Sequence, residues 1–230
     1  MAAMASSLTR PLIFFTAACV AVLLLGSVLH VGPLMAVSKT LASLGFIALG
    51  LRHGTPRGSD SEARFAAAIL AALGLSLLGD VALLGRGELP FLLGLGSFLL
   101  AHVAFCVAFL RLGLRPQKAL WTFVPLAVVA VAVLAWLLGF VPAPMRAPVV
   151  VYVTVITAMV SLSGATRVAA EDPRRLILPL AAGIFYLSDL SVALDRFVAP
   201  AARHWLWGLP LYYLAQVLFA LCVRRPVSSG

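Results

Sequence analysis

Residues 89–111 read Leu89-Pro90-Phe91-Leu92-Leu93-Gly94-Leu95-Gly96-Ser97-Phe98-Leu99-Leu100-Ala101-His102-Val103-Ala104-Phe105-Cys106-Val107-Ala108-Phe109-Leu110-Arg111, with no Asp, Glu, Lys or Arg before the last residue. The run has the length of a membrane-spanning helix, which needs about 20 residues, and lacks the period-two alternation of a barrel strand. Seven other runs bounded by Pro, Gly or charge resemble it. The eight segments are 11–29, 33–51, 64–85, 89–111, 119–141, 148–168, 175–195 and 204–223. The whole chain agrees with this reading. Of 230 residues, 63% are hydrophobic and 11% charged, with mean hydropathy +1.09, against roughly 45–50% and about 25% in soluble proteins. The sequence predicts an all-α membrane protein, one eight-transmembrane-helix bundle over 1–230 with no separate soluble domain. The apolar run after Arg10 lacks a clear small-x-small cleavage site and is expected to be a retained first span.

The net charge of +9 suits nucleic acid only if the basic residues share one face of a soluble fold. Here they fall between apolar runs, so no nucleic-acid partner is expected. The N-terminus, the 52–64, 111–118 and 167–175 connections and the C-terminus hold one, three, three, three and two Lys or Arg, twelve in all. The alternate connections hold four: Arg86, Arg146, Arg196 and Arg203. That imbalance predicts both termini in the cytoplasm. Cys19, Cys106 and Cys222 lie in or at the end of apolar runs and imply neither a disulfide framework nor a Cys-rich metal motif. Fifteen Arg against two Lys fit a GC-rich genome, and a bacterial inner membrane is the expected location.

The stretch Gly94 to Phe105 aligns without gaps with Gly208-Leu209-Pro210-Leu211-Tyr212-Tyr213-Leu214-Ala215-Gln216-Val217-Leu218-Phe219. Both place a Gly, an aromatic residue and a His or Gln at i, i+4 and i+8, on one helix face. One segment earlier, Leu78-Gly79-Asp80 parallels Leu187-Ser188-Asp189. Four spans separate each pair, so the sequence predicts a tandem 4+4 repeat of parallel halves.

An ionisable group at the bilayer centre costs at least about 2.5–3.5 kcal/mol. Asp60, Glu62, Glu88, Glu171 and Asp172 read as loop residues, and Asp195 sits beside Arg196 at a span end. Asp80 and Asp189 remain inside spans, with Lys39, His102, Tyr152, Tyr212 and Gln216. At about 1.5 Å rise per residue, Tyr152, Asp80, Lys39, Asp189 and Tyr212 lie roughly 6–12 Å from the non-cytoplasmic end, and His102 and Gln216 about 18–20 Å. Overlapping depths from five spans describe a cavity open toward that side. Structural readings compete: either aspartate can tie helices together, with Ser76 or Tyr186 nearby. Lys39 can snorkel outward or pair with an aspartate or a phosphate. Tyr152, Tyr212 and Tyr213 can belong to the interfacial aromatic belt, as Trp205 and Trp207 do. A three-His zinc site is not available, since His30, His53 and His204 fall at span ends or in loops. No G-x-S-x-G elbow and no phosphate-binding glycine loop occurs.

Lys39, the Gly79-Asp80 pair, Gly94-x3-Phe98-x3-His102, Phe185-x2-Ser188-Asp189 running to Arg196-Phe197, and Tyr212-Tyr213-x2-Gln216 follow one another in successive segments. This ordered set resembles the YhhN family of membrane lysoplasmalogenases, over essentially the whole chain. The resemblance implies a hydrolase that cleaves the vinyl ether of lysoplasmalogens to a fatty aldehyde and glycerophosphoethanolamine or glycerophosphocholine. Its partners are then a lysophospholipid substrate and membrane lipids, and it needs no metal or other cofactor. Asp80 and Asp189 are the catalytic carboxylates it implies, one as acid and the other as base or cation stabiliser. Lys39, His102, Tyr152, Ser188, Tyr212, Tyr213 and Gln216 are the expected substrate-binding residues. The chemistry suits two carboxylates, because protonating a vinyl ether generates an oxocarbenium ion, as glycosidases do. A proton-coupled secondary transporter and a non-catalytic lipid-binding protein are the other functions open to this sequence.

Overall fold

The computed structural model describes residues 2–53 and 60–223. Eight helices long and apolar enough to cross a membrane run in order: α1 (Ala2–Val28), α2 (Gly32–His53), α3 (Asp60–Ala82), α4 (Glu88–Arg111), α5 (Pro116–Leu137), α6 (Ala143–Gly164), α7 (Arg174–Ala193) and α8 (Trp205–Cys222). Among the described residues there is no strand, only a single bridge between Leu114 and Thr166. Lipid offers the backbone no hydrogen bonds, so a helix is the form in which each apolar run satisfies itself. Arg57, Arg224 and Arg225, part of the charge imbalance above, lie outside the described residues.

Several boundaries differ from the sequence reading. Pro148, taken as a start, lies inside α6, which begins at Ala143. Membrane helices accommodate such a proline because neighbouring groups re-satisfy the freed carbonyl. Pro116 opens α5, where its missing N–H costs nothing. Asp60, Glu62 and Glu88 belong to the first turns of α3 and α4 rather than to loops, where their charge favours the helix dipole. Beyond α7 the chain forms a π-helical turn over Leu194–Val198 and a short 3-10 turn over Pro200–Ala202 before α8.

The helices pack as hairpins, α1 on α2, α3 on α4 and α7 on α8, while α5 packs on α6 at the edge of the bundle. Across the bundle α2 meets α8 and α6 meets α4. The two stretches aligned in the sequence meet at their ends, Phe105 and Phe219, whose rings are tilted against each other at 4.2 Å. Both rings are fully buried. Corresponding glycines close the two hairpins. A Cβ built on Gly94 would meet Leu83 at 2.6 Å and the Gly79 carbonyl at 3.5 Å, and one on Gly208 would collide with Ser191 and approach the Ser188 carbonyl at 3.6 Å. Gly79 in turn leaves room for the Phe98 ring, 2.7 Å from where its Cβ would be. Small residues at these crossings let α3 and α4, and α7 and α8, approach closely enough to align Asp80 and Asp189 with the facing helices.

At the end of the bundle holding the α4–α5 and α6–α7 connections, polar ties fix the frame. Arg174 donates to both Glu62 oxygens, at 2.7 and 2.9 Å, and to Asp172 at 2.8 Å, joining the starts of α7 and α3. Such planar bidentate pairs are the strong form of ionic hydrogen bond. Gly113, at φ +73°, turns the chain so that Arg167 can donate to the Leu114 carbonyl at 2.6 Å.

Candidate active site

Nearer the opposite end, where α3 passes to α4 and α7 to α8, the helices enclose a cavity of about 1100 Å³, counting the space at its mouth. Its walls are mostly apolar, with Leu95 from α4, Val133 and Leu137 from α5, and Val149, Val153 and Ile156 from α6. Lys39, Asp80, Tyr152, Ser188, Asp189 and Tyr212 are among its polar groups, with Ser191 and Asp195. Both intramembrane carboxylates therefore line one chamber.

Their surroundings differ. Asp80, nearly inaccessible at 2% exposure, receives hydrogen bonds on Oδ2 from the Ser43 hydroxyl and the Tyr212 phenol, each at 2.7 Å. Its Oδ1 lies 3.2 Å from the Lys39 ammonium, whose own side chain is largely buried. Tyr213 does not reach the carboxylate; its phenol donates to the Lys39 carbonyl at 3.2 Å and lies 3.5 Å from the Ser43 hydroxyl. Lys39 thus faces an aspartate rather than snorkelling outward, and the ion pair removes the cost of burying either charge alone.

Among the described residues Asp189 has no lysine or arginine within ion-pair distance. The Tyr152 phenol donates to Oδ2 at 2.7 Å, and His102 Nε2 lies 3.3 Å from the same oxygen. No described residue bonds Oδ1. The imidazole is fully buried, packed edge-on to Tyr152 at 5.2 Å and against Phe185 at 4.7 Å. Phe185 also touches Tyr212, at 5.5 Å between centroids, and Phe98 touches both rings. Through Tyr212, which donates to Asp80, and Phe185, which packs on His102, ring contacts connect the two hydrogen-bond clusters.

The two clusters are built alike. Ser43 precedes Asp80 by 37 residues and Tyr152 precedes Asp189 by 37, and each donates to Oδ2 at 2.7 Å. Each aspartate then takes a second neighbour from the other half, Tyr212 of α8 for Asp80 and His102 of α4 for Asp189. They differ in the donor from the preceding helix, a serine with Lys39 beside it for Asp80 and a tyrosine for Asp189, and in the second neighbours, which stand at non-equivalent positions of the two aligned stretches.

Three expected substrate-binding residues do not line the cavity. His102, Tyr213 and Gln216 stand behind its wall, His102 and Gln216 fully buried. The Gln216 amide and the His102 ring nitrogens make no hydrogen bond of good geometry among the described residues. Ser188 is on the wall and accepts at its carbonyl the Ser191 hydroxyl, at 2.6 Å. Two residues enter the site that the sequence reading passed over. Ser43 is one; its only signal is the spacing it shares with Tyr152. Asp195 is the other. Rather than pairing with Arg196, it lines the cavity and caps α8, accepting the backbone N–H of His204 and of Trp205, both at 2.8 Å.

Comparison with known proteins fits the order of these residues along the chain. Residues 34–223, which carry every polar group of the cavity, match the YhhN family. The chain belongs to the YhhN family. Relatives of this YhhN chain include lysoplasmalogenase TMEM86A of Bos taurus, 30% identical over 167 residues, which cover 70% of this chain and 68% of that protein. Lysoplasmalogenase TMEM86A of Homo sapiens is 31% identical over 167 residues, with the same shares. No solved structure matches this YhhN protein.

Proposed function

We propose that this protein is a membrane hydrolase that cleaves the vinyl ether of lysoplasmalogens, releasing a fatty aldehyde and the glycerophospho-alcohol. The observation that carries the reading is a mostly apolar cavity lined by two carboxylates with unequal partners, in a chain whose relatives are named lysoplasmalogenases. A lipid tail fits the walls of Leu95, Val133, Val149 and Ile156, and the polar groups concentrate where an ether oxygen would follow it.

The unequal partners divide the work. Asp80 faces the Lys39 ammonium and two hydroxyl donors, and in this reading it is the group that meets the developing positive charge. Asp189 faces a phenol on one oxygen and leaves the other open, so it is the proton donor in this reading. The Asp189 proton passes to the β-carbon of the vinyl ether, and the electron pair of the double bond forms the new C–H bond. The ether oxygen shares the resulting positive charge with the α-carbon, and the Asp80 carboxylate stabilises that oxocarbenium ion. Water adds to the α-carbon and gives a proton to the Asp189 carboxylate, restoring the acid. The hemiacetal then breaks its bond to the glycerol oxygen, which takes up a proton as the hemiacetal hydroxyl gives up its own, and the aldehyde forms. One water is consumed and neither oxidant nor reductant is needed.

Ser188, Tyr152 and Tyr212 orient the water and the glycerol hydroxyl, and His102, Tyr213 and Gln216 act through them from behind the wall. Both termini lie in the cytoplasm of a bacterial inner membrane, as the basic connections suggest, and the cavity faces the other side.

Purified protein in lipid nanodiscs, incubated with lysoplasmenylethanolamine, should release one equivalent of fatty aldehyde per substrate consumed. The saturated alkyl ether of the same head group should remain intact, because it has no double bond to protonate. Absence of aldehyde from the vinyl ether would overturn this reading in favour of a non-catalytic lipid-binding protein, and proton-coupled uptake of a solute without hydrolysis would replace it with the transporter.

A further inference from the structure

A lysophospholipid brings a phosphate and an ammonium as well as an ether, and the only lysine on the cavity wall is already held by Asp80 at 3.2 Å. The phosphate needs another cation. Arg196 lies between two wall residues, Asp195 and Phe197. Its guanidinium rests 4.5 Å from the centroid of Phe91, a ring that lines the cavity and packs edge-on against Phe197, also on the wall, at 6.0 Å. Arg196 is exposed and has no carboxylate partner among the described residues, so its charge is available beside the wall. Next to it the Asp195 carboxylate is held in place by the start of α8. Two of those contacts are backbone N–H groups and the third is His204 Nδ1, 2.8 Å from Oδ1, so two amides and an imidazole fix the direction of the carboxylate. Trp205, which begins α8, lines the same part of the wall.

The spacing is right for one ligand. Arg196 follows Asp189 by seven residues, four in α7 and three in the tighter-rising π-helical turn, so the two are at most about 10 Å apart along the axis. In a lysoplasmalogen the phosphorus is five bonds from the ether oxygen and seven from the carbon that takes the proton, a reach that covers most of that rise. An ammonium beyond the phosphate would fold back toward a carboxylate and an indole, the combination that recognises alkylammonium groups.

We infer that the cavity mouth formed by the turn after α7 is a head-group subsite for a zwitterionic phosphoester, with Arg196 taking the phosphate and Asp195 and Trp205 facing the ammonium. The inference rests on the reading of the cavity as a lysophospholipid site, but not on its cleaving the ether.

The test is binding of two uncleavable probes to the full chain in nanodiscs, the saturated alkyl ether lysophosphoethanolamine and the alkylglycerol that lacks the phosphoester. The wild-type protein should bind the first more tightly. Arg196→Gln should weaken that binding by about tenfold, the loss of one charge-assisted contact, and should shift binding of the alkylglycerol by less than about twofold. Arg196→Lys should recover part of the loss. If Arg196→Gln binds both probes as the wild type does, the subsite is wrong. A wild type that prefers the phosphoester probe yet releases no aldehyde from the vinyl ether would overturn the hydrolase and leave the subsite standing. Aldehyde release with unchanged selectivity in Arg196→Gln would do the reverse.

Discussion

Asp189→Asn should lower kcat for aldehyde release about a thousandfold, within the 10²–10⁴ range of a lost general acid, with KM moving by less than about threefold. The amide keeps the shape of the side chain, and its oxygen can still accept the Tyr152 phenol, now 2.7 Å from Oδ2. What it loses is an acidic proton to give to carbon. Asp80→Asn should cost about 10²–10³ in kcat, the scale on which removing one preorganised electrostatic partner of a transition state is felt. Both variants should elute as the wild type does in size-exclusion chromatography. Turnover of Asp189→Asn near the wild-type rate would remove Asp189 from the chemistry. Equal losses in kcat and in kcat/KM are expected for each, since both groups act only once charge develops.

Lys39→Met should have the largest effect on stability. Asp80 is buried to 2% exposure and its one cation is the Lys39 ammonium. Removing one partner of a buried pair costs about 3–5 kcal/mol, because the remaining charge has no counterpart. For a chain of this size that lowers Tm on the order of 10 °C. The sign is checked by a second substitution. Asp80→Asn alone leaves the ammonium unpaired, whereas Lys39→Met combined with Asp80→Asn carries no unpaired charge, so its Tm should lie above that of either single variant, giving a coupling energy of a few kcal/mol in the double-mutant cycle. Additive losses would mean that the ammonium and the carboxylate do not share their charge in the folded protein. Thermal unfolding in detergent, followed by exposure of the buried cysteines Cys19 and Cys222 to a thiol dye, reads all four proteins.

Much of this architecture is legible in the residues. Eight runs without charge specify eight helices because lipid leaves the backbone no alternative, and Asp80 and Asp189 stand out because few forces justify a carboxylate at that depth. The depth count along each helix also anticipates that Lys39, Asp80, Tyr152, Asp189 and Tyr212 share a level. Height along an axis does not fix direction around it, however. His102 and Gln216 have the correct heights but are fully buried behind the cavity wall, His102 against Tyr152 and Phe185. Ser43 is invisible by composition, since hydroxyls in apolar helices commonly bond the carbonyl one turn back, as this one also does to Lys39 at 3.1 Å. Asp195 is misread for a different reason. A charge next to Arg196 in sequence suggests an ion pair, but the turn after α7 sends the aspartate to the start of α8 and the arginine over Phe91.

The central claim is that a proton from the protein is added to the β-carbon of a vinyl ether. Hydrolysis of lysoplasmenylethanolamine by the wild-type protein in D2O, with the aldehyde trapped by reduction and weighed by mass spectrometry, tests it directly. The account predicts one deuterium on the carbon next to the former carbonyl and none elsewhere on the chain. An aldehyde carrying no deuterium at that carbon would contradict it.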